Sequence, residues 1–226
     1  MNFFLGPFLI WLPKLFFWGV FVCAVWRYCV VRGYVHVRMR EWGTIKQLWM
    51  SVLWFRGGYA TLLTIAQYYI WSQNDFTRAF LNTSLGEDFP VPWVRNFPFL
   101  FDTQFGYFFL YVWQRFWLEA LVTFCVAWIF FLFLKLLKKY RARFFYDDEP
   151  ELGFLCALLV GWPNMIFFIF GTFLIIVGIG IVRMLVWRAQ YTTFGFPFLI
   201  STLCTLLYGN ALVVFFNLSA LIVSRH

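Results

Sequence analysis

The amino-acid sequence predicts an all-α integral membrane protein with four to five transmembrane helices. Three observations carry that reading. The stretch from Leu152 to Val182 runs for 31 residues without a charged side chain, longer than the roughly 20 apolar residues that cross a hydrocarbon core of about 30 Å. The chain is 63% hydrophobic and 12% charged, whereas a soluble domain is about half apolar and a quarter charged. Its basic residues gather at the ends of the apolar runs, where they set topology, so the net charge of +8 is not a nucleic-acid signal. At 226 residues the chain is expected to form one polytopic domain, 1–226, with spans at about 8–31, 48–71, 105–137, 152–182 and 194–223.

The first apolar run, Phe3 to Trp26, is interrupted at Pro13-Lys14. Lys14 can snorkel to an interface if the span begins near Leu15. The run lacks the basic n-region and small-residue cleavage site of a signal peptide and is expected to stay in place. Arg27, Arg32, Arg38, Arg40 and Lys46, against Glu41 alone, mark the next loop as the inner side. Tyr34 to Val37 within it fits either a short strand or an interfacial helix. Leu48 to Trp71 is the second span and contains Arg56-Gly57-Gly58. The polar loop from Gln73 to Gln104 carries Asp75, Glu87, Asp88 and Asp102 against Arg78 and Arg95, which suits the outer side. Phe105 to Leu137 is the third span, closed by Lys135, Lys138, Lys139, Arg141 and Arg143, again an inner-side signature.

Leu152 to Val182 is less ordinary, because Gly161-Trp162-Pro163-Asn164 interrupts it. Pro163 lacks a backbone donor and disfavours helix at Trp162. Either one long helix is kinked at Gly161–Pro163, or a short re-entrant half-helix precedes a full span from Met165 to Val182. Arg183 and Arg188 fall outside in the first case and inside in the second. Phe194 to Val223, broken at Phe196-Pro197, forms the last span.

Ionisable groups at membrane depth are costly and mark candidate sites. Gln114, Arg115 and Glu119 are the main set, and Arg115 and Glu119, four apart, share a helix face. They suit a proton or ion path, or a self-neutralised pair. Arg56 either binds an anionic partner or snorkels. Gly171 and Gly178, seven apart on one face, together with Gly180, suit close helix packing. No metal site is expected: His36 and His226 are the only histidines and neither lies in a span. Five cysteines form no CxxC pair, and no phosphate-binding loop or dinucleotide fingerprint occurs, so no cofactor is expected.

The last eighty or so residues carry a further pattern. Leu152-Gly153 leads to Gly161-Trp162-Pro163, then an apolar span, then Arg183 to Arg188, then Phe194-Gly195-Phe196-Pro197-Phe198-Leu199. In order and spacing this resembles the bacterial prepilin peptidases, membrane aspartyl proteases with a GxGD motif. The resemblance places Glu149 at the motif's aspartate, with Tyr146 and Asp148 where its glycines stand, so the motif is degenerate. It implies Glu149 and Asp148 as catalytic candidates, and Asp88 or Asp102 as the second carboxylate.

Without a catalytic or cofactor set, the sequence favours a non-catalytic integral subunit of a larger membrane assembly. Phe (33) and Trp (13) are abundant and His (2) is scarce, a bias resembling genes of strand-biased organellar genomes. That bias favours an organelle-encoded subunit of a mitochondrial respiratory-chain or ATP synthase complex in the inner membrane, with a bacterial inner membrane as the alternative. Expected partners are other membrane subunits and phospholipids, not nucleic acid. The alternatives are a degenerate prepilin-peptidase-like protease and a small transporter or proton-path component using Arg115 and Glu119.

Overall fold

The structure, a computed structural model, describes residues 2–33, 44–85, 98–141, 145–187 and 193–218. All regular structure among these residues is helical. In chain order the helices are α1 (Asn2–Val31), α2 (Ile45–Ser72), α3 (Asp75–Leu81), α4 (Pro98–Phe101), α5 (Gly106–Val112), α6 (Leu118–Tyr140), α7 (Glu149–Val160), α8 (Met165–Trp187) and α9 (Gly195–Phe215). A π-helical turn, Trp113–Trp117, joins α5 to α6. Among the described residues, four segments are long and apolar enough to cross a membrane: Trp11–Val31, Gly106–Tyr140, Met165–Leu185 and Gly195–Phe215. The protein is an all-α membrane protein. The stretch expected as the second span is helical, as α2, 28 residues long, but with Lys46, Arg56 and its glutamines it is not among those four. Tyr34 to Val37, Asp88 and Arg188 lie outside the described residues.

Two compact units divide the chain: Met1–Phe55 with Val122–Ile222, and Arg56–Leu121 with Val223–His226. In the first unit, the 31-residue uncharged run is not one helix. Gly161, at φ +71°, ends α7, a conformation that any Cβ would strain. The Trp162–Pro163 peptide is cis, and α8 restarts at Met165. The short half-helix followed by a full span is therefore the arrangement found.

α7 is the core of this unit. Its 12 residues reach about 18 Å, too short to cross, and every residue from Leu152 to Val160 is buried. A helix that is apolar all round lies either in a protein core or in lipid, and α7 lies in the core. Trp49 of α2 and Phe131 of α6 pack on Phe154, and Gly153 admits Leu134 of α6 and Phe198 of α9. The turn after α7 closes its own backbone: Met165 N–H donates to Gly161 O at 2.9 Å and Phe168 N–H to Asn164 O at 3.1 Å. Trp162 N–H, left over, donates to Thr123 Oγ1 of α6 at 3.1 Å. Backbone groups freed at membrane depth persist only when covered in this way.

α8 runs antiparallel to α9. Asn164 meets Asn210, Phe168 O accepts from Ser201 Oγ at 2.8 Å, and Phe168 and Phe198 are neighbours. Arg183 therefore lies toward the end of the unit at which α7 and α9 begin, as the half-helix alternative expects.

The second unit is built on aromatic side chains. Trp71 stands among Phe80, Tyr107, Phe108 and Tyr111. Backbone bonds from Leu85 N–H to Phe101 O (3.0 Å) and from Tyr107 N–H to Thr83 O (3.2 Å) tie the connecting segments to α4 and α5.

Candidate functional site

Two groups of charged side chains stand out, one in each unit. In the first unit, the C-terminal end of α1 and the N-terminal ends of α7 and α9 converge. Gly195 makes this possible, since a Cβ there would collide with the Tyr28 ring. Arg32, just past α1, forms a hydrogen-bonded ion pair with Glu149, the first residue of α7. Its guanidinium carbon lies 3.3 Å from the Tyr146 ring centroid and 5.1 Å from that of Tyr28, so two aromatic faces flank the cation. The other carboxylate oxygen, Glu149 Oε2, accepts from Tyr146 N–H at 3.2 Å. The N–H groups of Phe194 and Gly195, at the start of α9, also bond to this carboxyl, as helix N-termini do with anions.

Glu149 is 2% exposed and Arg32 14%. Burial pushes the Glu149 carboxyl above its ordinary range, against the opposite pull of the Tyr146 N–H, Arg32 and the two α9 donors. Desolvation thus outweighs the attraction, the usual balance for a buried pair. What the pair supplies is a demand that three particular helix ends meet. Beside it, Lys138 of α6 bonds Asp147 Oδ1 at 2.9 Å and Asp147 O at 3.2 Å, and the Lys138 hydrogen bond draws the Asp147 carboxyl below its ordinary range. A cavity of about 430 Å³ opens next to the clasp, lined by Tyr28, Ile45, Tyr146, Asp148 and Leu152 as well as the pair itself.

No protein-family model, curated protein or solved structure matches this chain. The prepilin peptidase resemblance thus rests on its short motifs alone. An aspartyl protease needs two carboxylates sharing a proton at close range. Glu149 instead faces a guanidinium and three N–H donors, while Asp148, the residue before α7, is exposed and makes no capping bond. Asp102 is exposed in the other unit. Among the described residues, no group of three or more His, Cys, Asp or Glu side chains is arranged to hold a metal ion.

In the second unit, Glu119 acts electrostatically on Arg56 and Tyr59 of α2. Arg56 and Glu119 are both half-buried, as is Arg115, whereas Gln114 is exposed. The link therefore runs between helices, from α6 to α2, beyond the within-helix pairing of Arg115 with Glu119 that their spacing suggests. Arg115 and Gln114 sit in the π-helical turn, where Leu118 N–H reaches back to Trp113 O. Such turns are frequent at functional sites. Trp117 Nε1–H, at the end of the turn, donates to Thr64 Oγ1 of α2 at 3.3 Å.

The three packing glycines separate. A Cβ on Gly171 would lie 2.9 Å from Ser201 Oγ, so α9 already uses that position. Gly178 and Gly180 have no atom within 4 Å of an added Cβ. Sequence reasoning missed Arg32, which it counted only among the topogenic charges. The available signal was Tyr28, one turn before Arg32, and Glu149 at the head of a helix that is apolar from Leu152 onward.

Proposed function

We propose that this chain is a non-catalytic integral subunit of a larger membrane assembly, an organelle-encoded subunit of a respiratory-chain or ATP synthase complex in the mitochondrial inner membrane. The observation that carries this reading is the use of the charges. The buried carboxylate, Glu149, is bound by Arg32 and by the backbone donors of two helix ends, an anchor and not a reacting group. The membrane-depth face supports it too: only 17% of the α8 apolar window is covered by the rest of the chain, and Gly178 and Gly180 leave room for a close helix or lipid. Partners would then be other membrane subunits and phospholipids.

A second reading, a proton-path or small transport component, is favoured by Glu119, beside a π-helical turn, acting electrostatically on Arg56 and Tyr59. One set of variants separates the two. Under the subunit reading, Glu119→Gln lowers the amount of assembled protein and the double variant Arg56→Gln/Glu119→Gln restores it, because the first change removes a compensating charge near Arg56 and the second removes the cation it compensated. Under the transport reading, both variants assemble and both lose flux. Gly178→Leu should leave the isolated chain folded and reduce its incorporation into the particle; normal incorporation would count against the subunit reading.

A further inference from the structure

Helix α6 presents two unlike faces. Thr123, Ala127, Phe130, Phe131 and Leu134 are buried. On another side Phe124, Trp128, Leu132, Lys135 and Lys139 follow one another at steps of four, four, three and four, and all five are exposed. Such steps keep them in one line along the helix. The stripe is apolar until its last two positions. From Phe124 to Lys135 it rises about 16 Å, roughly half of a 30 Å hydrocarbon core. The lysines close a span that ends at Tyr140, itself exposed, as aromatic residues at a membrane interface are. With the lysines among headgroups, the apolar part runs the depth of one leaflet.

Two properties decide what covers this stripe. Its apolar side chains are bulky, whereas membrane helices approach one another through small residues. Those of α6 are spent within its own unit: Ala127 is buried, and Thr123 accepts from Trp162 N–H. Its charges, by contrast, are unspent. Lys138 bonds Asp147, but among the described residues Lys135 and Lys139 form no ion pair. Lys135 Nζ lies 4.5 Å from the Phe131 ring centroid, a contact that leaves its charge in place. Arg141, exposed just past the helix, adds to the positive field, and basic residues clustered at the end of a span attract anionic lipid.

We propose, resting on the phospholipid part of the reading above, that this stripe seats an anionic phospholipid. Its phosphate lies between Lys135 and Lys139, and its acyl chains run along Leu132, Trp128 and Phe124. Lysine holds phosphate as a point charge, and its long stem lets the ammonium reach headgroup level while the methylenes stay with the tails. A neutral headgroup would leave both charges unmatched. The α8 face differs on both counts, with Gly178 and Gly180 open to close approach.

The test is photo-cross-linking of the full chain in its native membrane, with Leu132→p-benzoylphenylalanine and the adducts identified by mass spectrometry. Anionic phospholipids should be enriched in the adducts over their share of the membrane. Lys135→Gln/Lys139→Gln should lower that enrichment about fivefold for each lysine removed, and Lys135→Arg/Lys139→Arg should keep it. Phospholipid adducts in bulk proportions, an enrichment indifferent to the glutamine pair, or cross-linking to a protein overturns the proposal. A protein adduct would do so while leaving the subunit reading standing. Anionic-lipid adducts on a chain that belongs to no larger particle would uphold this inference and remove that reading.

Discussion

α7 and α8 come from one uncharged run, yet they meet opposite surroundings. Every residue from Leu152 to Val160 is buried, whereas Leu174, Val177, Val182 and Leu185 of α8 are all more than half exposed. Composition does not separate them; length does. A helix of about 34 Å, as 23 residues give, can place both ends among headgroups and leave its sides to lipid. A helix of about 18 Å ends inside the bilayer, and protein must satisfy that end. Thr123 accepts the Trp162 N–H in the turn after α7, and Arg32 with the α9 N–H donors holds the carboxyl of its first residue, Glu149. Within a membrane, enclosure follows from unsatisfied ends more than from apolarity, since lipid is as apolar as leucine.

That contrast breaks most readily at the clasp. Arg32→Met leaves Glu149 buried without its cation and should cost about 3–5 kcal/mol, read as the fraction folded in detergent titration; Arg32→Met/Glu149→Leu should recover part of the loss. A double variant no better than either single one would mean that the charges stabilise the fold instead of specifying it. Next is Thr123→Val, which removes the acceptor for Trp162 N–H. An unmet buried donor costs about 1–3 kcal/mol, and amide exchange at Trp162 should quicken while exchange along α8 is unchanged. Gly153→Ala comes third, because its new Cβ has to displace Leu134 and Phe198. Overpacking of this kind costs about 1–3 kcal/mol, with the lower part expected because a leucine methyl can rotate. Smallest is Gly178→Ala on α8, where nothing stands within 4 Å; the isolated chain should change by less than about 0.5 kcal/mol. A larger loss in detergent would show that α8 is covered after all.

Much of the fold was legible in the residues. Uncharged runs, topogenic arginines and lysines, and the Gly161–Asn164 break named the helices and narrowed α7 to two arrangements. Charge asymmetry already leaned toward the one found, with Arg183 near the end that holds Arg32. The clasp was not legible, for a physical reason. Arg32 and Glu149 are 117 residues apart, and periodicity reports which face a residue occupies, not which distant residue meets it. The same holds for Arg56 and Glu119: each was visible as a costly charge, and their proximity was not. Gly171 and Gly178 share a spacing and a face, yet only Gly171 is taken by Ser201, because α9 crosses α8 near its start.

The most direct test of the account is the native particle: gentle detergent extraction, native-gel separation and mass spectrometry of the band. The account predicts that the chain runs at fixed stoichiometry in a complex about ten times its own mass or larger, far beyond the one or two copies that marginal membrane contacts alone would hold. Migration alone, or only as a pair of identical chains, would contradict it.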